Sequence, residues 1–206
     1  MRTGIGAVVL AAAAVLGAGS SAAGAAATWT VRPGGAITAK AGKTTLIDTR
    51  NGNTLTCTPS TMSGTLKGGG GLPGTGIGSL TTAAYTCPTP IFSYRLTPRG
   101  LPWHLNLASY DPRSGVARGT ISHLQLAFAI PEVFCSALIG GASGPVSGGV
   151  VAITYSNQTG RLKILPTGGT LHWYDPDGCD HLIRNGDPAA LAASYALSPP
   201  QTITSP

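Results

Sequence analysis

Apolar residues alternate with polar or small residues in five separate segments, and this period of two limits the fold more than any other feature of the sequence. The five segments are 92–96, 103–107, 124–130, 151–155 and 171–173. Because successive side chains of a β-strand point to opposite faces, each segment would place one apolar face inward and one polar or small face outward. This pattern is typical of antiparallel sheets that contact solvent on one side.

Turn-forming residues separate these segments. Asn51-Gly52 before Leu55 is a strong hairpin signal, and further turns are indicated at 111–115, 157–160 and 166–169. The 30 glycines and 16 prolines disfavour long helices, and such short connections favour a meander or a Greek key over βαβ units. We therefore predict an all-β fold: an antiparallel β-sandwich of roughly nine to twelve strands, with a β-barrel as the alternative.

Two segments depart from the alternating pattern. Residues 68–78 are rich in glycine and predict a mobile loop or the edge of a sheet. Residues 179–184 are the one candidate for a helical segment.

The N-terminal residues have the layout of a secretory signal peptide. Arg2 precedes an uncharged apolar run at 5–17, and small residues follow up to Ala27. We expect a signal peptide at 1–27 with cleavage after Ala27, and a single domain at 28–206. The apolar run is shorter than the roughly 20 residues that a transmembrane helix needs, so no membrane span is expected after the signal is removed. The predicted location is extracellular, with attachment to the cell surface left open.

The chain contains four cysteines, and an even number in an exported protein suggests two disulfides. Three connectivities are open. We favour Cys57–Cys87 and Cys135–Cys179, because each pair would join strands within one half of the chain. A zinc site is not expected, since the sequence has no C-x-x-C pair.

Charge and motifs exclude several function classes. Lys and Arg are scattered along a chain with a formal net charge of +6, which argues against a nucleic-acid surface. No P-loop, S-x-x-K or H-E-x-x-H motif occurs in the chain, and residues 28–206 contain no G-x-S-x-G motif. We therefore assign no catalytic residue and no cofactor from the sequence.

One acidic segment could bind a metal. Asp175, Asp177, Asp180 and His181 could surround a hard cation such as calcium, although Gly186 stands where a calcium loop would place a bidentate glutamate. The favoured alternative is a turn that holds Cys179 for its disulfide.

Three histidines lie on the predicted outward faces of strands, and the aromatic residues of the same strands lie inward. His104, His123 and His172 could converge on a transition metal, but solvent-facing positions are favoured. Trp103 and Trp173 have the inward phase, so we expect them in the core.

Short motifs give the sequence two resemblances. Residues 28–206 resemble a group of uncharacterised exported actinobacterial β-proteins, through Trp29-Thr30-Val31, Thr54-Leu55-Thr56-Cys57, the glycine-rich segment 74–79 and Gln201-Thr202-Ile203-Thr204. The middle of the chain is more weakly similar to PraB-type activators of alkane oxidation, through Cys87 upstream of Gly100-Leu101-Pro102-Trp103 and through Tyr155-Ser156-Asn157. The second resemblance implies a surface-associated protein, and neither supplies catalytic residues.

Three functions are compatible with the sequence. The first is a non-enzymatic structural or surface-interaction role, with cell-wall or extracellular matrix components as partners. The second is a carrier of an apolar small molecule held between the sheets. The third is a secreted hydrolase that uses Asp175, Asp177 or His181.

Overall fold

The protein consists almost entirely of antiparallel β-strands. The computed structural model describes residues 28–88, 93–180 and 182–206, so the predicted signal peptide at 1–27, Phe92 and His181 lie outside the described residues. The strands in chain order are β1 (Thr28–Arg32), β2 (Gly35–Ala41), β3 (Thr44–Asp48), β4 (Thr54–Cys57), β5 (Ser60–Leu66), β6 (Gly69–Pro73), β7 (Gly78–Tyr85), β8 (Arg95–Arg99), β9 (Trp103–Asp111), β10 (Val116–Ile130), β11 (Cys135–Gly140), β12 (Gly149–Ser156), β13 (Arg161–Ile164), β14 (Leu171–Asp177), β15 (Pro188–Ser198) and β16 (Thr202–Thr204).

The prediction of roughly nine to twelve strands was too low, because several strands lack an alternating apolar pattern. The described residues form sixteen strands. The glycine-rich segment contains β6, which pairs with β1 in a small sheet that also includes β16, so the sheet-edge alternative is the correct one.

The predicted helical segment at 179–184 was wrong, since the described residues there form no helix. Gly178 and Asp180 both have positive φ, which interrupts a right-handed helix. The described part contains a single 3-10 turn, at Pro131–Val133.

Eight strands of the large sheet form a closed series of neighbours. The order is β2–β5–β7–β9–β10–β12–β13–β15, and β15 pairs again with β2. We call this series the eight-strand ring. The prediction of an antiparallel all-β fold with two disulfides is confirmed, and these pairings do not separate the sandwich from the barrel.

The two longest strands extend beyond this ring and carry a second set of pairings. The C-terminal half of β10 pairs with β8 and β11. The N-terminal half of β15 pairs with β3 and β14. With β4 beside β3 and β11 beside β14, these strands form what we call the second strand group.

A bulge in β10 allows the strand to serve both groups. The pairing with β12 shifts between Ile121 and Leu124, and His123 between them has a φ of 63°. The buried residues occupy odd positions up to Ile121 and even positions from Leu124 to Ile130. The extra residue therefore reverses the phase, so that both halves of the strand bury an apolar face.

Both predicted disulfides are confirmed, and both lie in the second strand group. Cys57 at the end of β4 is bonded to Cys87, which pairs with Tyr94 just before β8. This bond connects the end of β4 to the segment that pairs just before β8. Cys135 at the start of β11 is bonded to Cys179, in the loop that follows β14.

Candidate functional site

A cavity of about 180 Å³ lies within the second strand group, at the end where its connecting loops meet. Trp173, which is 1% exposed, and Leu182, which is 49% exposed, both line it. The cavity therefore extends from the core to the surface. The main apolar side chains of its wall are Leu55, Tyr94, Phe128, Ile130, Trp173 and Ile183.

Three aromatic rings from separate parts of the chain form one side of the cavity. The rings of Phe128 and Trp173 meet edge to face with centroids 5.4 Å apart, and Tyr94 stacks on Phe128 at 6.1 Å. Both separations lie in the range of favourable aromatic pairs. Phe128 and Trp173 occupy inward positions of β10 and β14, so paired strands hold this wall in place.

Asp48 also lines the cavity, although it is a charged residue with only 2% of its surface exposed. Its Oδ1 accepts hydrogen bonds from the backbone N–H groups of Arg50, at 2.9 Å, and Asn51, at 3.3 Å. These bonds fix the turn between β3 and β4. Its Oδ2 is buried and has no hydrogen-bond partner among the described residues.

The indole N–H of Trp173 is a second buried polar group of the lining without a partner in the described part of the chain. Trp103, by contrast, donates its indole N–H to the Arg99 carbonyl oxygen at 2.9 Å. Leaving a buried polar group unpaired costs about 1–3 kcal/mol, so such atoms normally meet a protein group, a water or a ligand. The cavity therefore offers one acceptor and one donor within apolar walls.

Asp187 and Arg50 form an ion pair beside Asp48. The Arg50 Nε lies 2.7 Å from Asp187 Oδ2, which also accepts a hydrogen bond from the Arg184 N–H at 2.9 Å. Burial alone would raise the pKa of Asp187, but the hydrogen bonds from Arg50 and the Arg184 N–H hold this pKa below its ordinary value. Asp48 adjoins this ion pair, because its Oδ1 accepts the backbone N–H of Arg50. Two carboxyl groups, those of Asp48 and Asp187, therefore lie close to one guanidinium group, that of Arg50.

The acidic residues predicted as metal ligands lie outside this cavity lining. Asp175, Asp177 and Asp180 are exposed, and Asp175 donates its backbone N–H to Asn185 Oδ1. His181 lies outside the described residues. Within the described ranges, no three His, Cys, Asp or Glu residues come together in a group that could hold a metal ion.

The chain passes through a tight turn before Cys179. Gly178 has a φ of 62°, and a Cβ at this position would overlap the carbonyl oxygen of Phe134. A glycine is therefore needed where the turn approaches β11. This geometry supports the interpretation of the segment as a turn that holds the disulfide.

Two of the three histidines lie together on the eight-strand ring. The rings of His104 and His123 have centroids 4.8 Å apart, and His123 Nδ1 is 3.2 Å from Ser122 Oγ. His172 lies on β14, with its ring 6.5 Å from that of Tyr174. The described residues therefore show a histidine pair, and they do not assemble a three-ligand metal group.

Sequence reasoning missed Asp48 as a site residue. It directly precedes the turn at 49–53, and an aspartate in that place is normally interpreted as a turn former. No signal in the sequence showed that its second carboxylate oxygen would be buried against aromatic residues from β10 and β14.

No family model matches this chain, and neither a curated protein nor a solved structure matches it. Among the described residues, none belongs to a helix with the length and apolar character needed to cross a membrane.

Proposed function

We propose that the protein is a non-enzymatic binding protein for a small, mainly apolar molecule. The observation that carries this proposal is the cavity of about 180 Å³, which reaches from the core to the surface between aromatic walls. An apolar cavity of about 150 Å³ is large enough to hold benzene. The cavity thus suits a molecule with one ring or a short chain. This is the carrier function considered from the sequence, with its site in the second strand group.

Toluene is a suitable first probe, because its size matches the cavity. We expect saturable binding to the purified protein, with a change in the fluorescence or in the indole N–H resonance of Trp173. Replacing Ile183 with phenylalanine would fill part of the cavity and should weaken the binding of toluene by about tenfold or more.

Val146→Phe is the matched control for Ile183→Phe. It adds the same ring at an exposed position that does not line the cavity, so binding of toluene should be unchanged. Equal affinity in the wild-type protein and Ile183→Phe would count against the cavity as the site. Absence of toluene binding to the wild-type protein would reject the proposed function.

We further propose that the protein is exported and works outside the cell. The two disulfides are compatible with an oxidising compartment. A surface-interaction role is the second candidate function, because Phe134 is 86% exposed next to the disulfide-bonded Cys135, whose side chain lines the cavity. In this view Phe134 would contact a wall polymer or another extracellular component.

Fractionation of the producing culture tests location and surface contact together. We expect protein that starts at Thr28, as measured by the intact mass, in the medium or on the cell wall. Retention on the wall that is lost in Phe134→Ser would favour the surface role. Equal release of the wild-type protein and Phe134→Ser would argue against it, and protein that kept residues 1–27 and stayed inside the cell would contradict export.

A further inference from the structure

We propose that the molecule held in this cavity is a small amine with an apolar body, and that its ammonium group pairs with the carboxylate of Asp48. This inference rests on the proposed function, because it takes the cavity as the binding site. It adds the charge and the polar chemistry of the ligand.

The charge balance around Asp48 favours a cation. Arg50 is engaged by Asp187 at 2.7 Å, so its charge is already paired. Asp48 receives two backbone N–H groups on Oδ1 and none of the described groups on Oδ2. A buried carboxylate without a counter-charge is costly, and an ammonium group would supply both the charge and the missing donor.

A neutral ligand would satisfy this site less well. An alcohol can donate one hydrogen bond to Asp48 Oδ2, but it brings no positive charge to a site where the one guanidinium group is already paired with Asp187. Both an alcohol and an ammonium group could donate a charge-assisted hydrogen bond to a carboxylate, but only the ammonium group adds the attraction between opposite charges, which is strengthened by burial. The site should therefore prefer an amine over an alcohol of the same shape.

The acidic residues of the whole chain are concentrated around this end of the second strand group. The sequence contains seven acidic residues, and Asp111, the last residue of β9, is the one whose segment does not contribute to the cavity lining. The other six lie in segments that supply or adjoin the cavity lining, namely Asp48, Glu132, Asp175, Asp177, Asp180 and Asp187.

The aromatic wall complements the same ligand. Trp173 and Phe128 offer ring surfaces to an apolar body, and an ammonium group is also attracted to aromatic faces. The indole N–H of Trp173 remains available for an oxygen acceptor on the ligand or for a bound water. The volume limits the body to about one six-membered ring with a short arm.

Three probes of nearly equal shape test the inference: benzylamine, benzyl alcohol and toluene. Their affinities for the purified protein are measured by calorimetry and by the Trp173 indole resonance. We expect benzylamine to bind the wild-type protein roughly tenfold more tightly than benzyl alcohol, because only benzylamine brings a positive charge to Asp48. In Asp48→Asn this preference should fall below about twofold, because the amide carries no negative charge.

Asp111→Asn is a closely matched control. Asp111 accepts a hydrogen bond from the N–H two residues later, as Asp48 does, and it does not line the cavity. In both variants the amide oxygen can keep this bond, so the turns should be retained. The benzylamine preference should persist in Asp111→Asn.

The outcomes separate the inference from the proposed function. Binding of toluene without preference for benzylamine, or a preference that survives in Asp48→Asn, would overturn the inference and leave the cavity as an apolar binding site. Binding of none of the three probes would overturn both. If Asp48→Asn does not fold, the wild-type ranking still decides the matter, together with nuclear Overhauser contacts between the benzylamine methylene protons and the Trp173 ring.

Discussion

Replacing Cys135 and Cys179 with serine is expected to lower the free energy of unfolding by about 4 kcal/mol. The bond closes a loop with a sequence separation of 44, and loop-closure entropy of that length corresponds to a loss of this size. The bond also anchors the loop that supplies Leu182 and Ile183 to the cavity, and Cys135 itself is part of the lining. We therefore expect toluene binding to weaken together with stability, as measured by urea unfolding and calorimetry.

The second disulfide provides the matched comparison. Cys57–Cys87 closes a separation of 30, so its replacement with serine should cost about 3.5 kcal/mol, nearly the same amount. Neither of its cysteines lines the cavity of about 180 Å³. If both double variants lose similar stability but only Cys135/Cys179 loses affinity, the anchoring role of that bond is supported. A loss below about 1 kcal/mol for either pair would contradict the loop-closure argument.

The local features of the fold could be predicted because each depends on a few neighbouring residues. The alternation at 151–155 predicted which side chains of β12 are buried. In the structure every second residue of this strand is buried, as predicted. The Asn51-Gly52 signal correctly predicted a hairpin of β3 and β4, although the connection runs over residues 49–53 and is longer than a two-residue turn. The cysteine pairing was also accessible, because each bond stays within one half of the chain.

Features that depend on strand neighbours could not be predicted. The bulge at His123 reverses the phase of β10 where the pairing with β12 shifts, and a bulge can be located only when the partner strand and its register are known. The same limit applies to the cavity. Tyr94, Phe128 and Trp173 are distant in sequence, and only the pairing of β8, β10, β11 and β14 brings their rings together.

The candidate site differs from the sequence hypotheses for an electrostatic reason. Asp175 and its acidic neighbours were candidates because they are close together in the sequence. Their side chains are exposed, so water solvates their charges and no ligand is needed to balance them. Asp48 is isolated in the sequence but buried, and burial gives a single unpaired oxygen far more energetic weight. The carboxyl group that matters for this site is therefore the buried one, and the sequence pattern did not indicate that Asp48 is buried.

Gly119→Ala is expected to destabilise the protein by about 3 kcal/mol or more, or to prevent folding. Gly119 lies at a register shift between β9 and β10 in the eight-strand ring. A Cβ there would overlap the carbonyl oxygen of Asn106 and lie 2.9 Å from Leu107 Cα. Both obstacles are backbone atoms of a paired strand, so no side-chain rotation can relieve the overlap, and the bulge itself would have to rearrange.

Gly42→Ala is the appropriate control for this substitution. Gly42 has no heavy atom within 4 Å of the added Cβ, and its φ does not lie in the positive range that disfavours alanine. Its replacement should change the free energy of unfolding by no more than about 0.5 kcal/mol, since such exposed positions tolerate a methyl group. Urea unfolding of both variants measures the difference. Equal stability of Gly119→Ala and Gly42→Ala would contradict the close approach of β9 and β10. These two strands of the eight-strand ring would then have to pair in a different register.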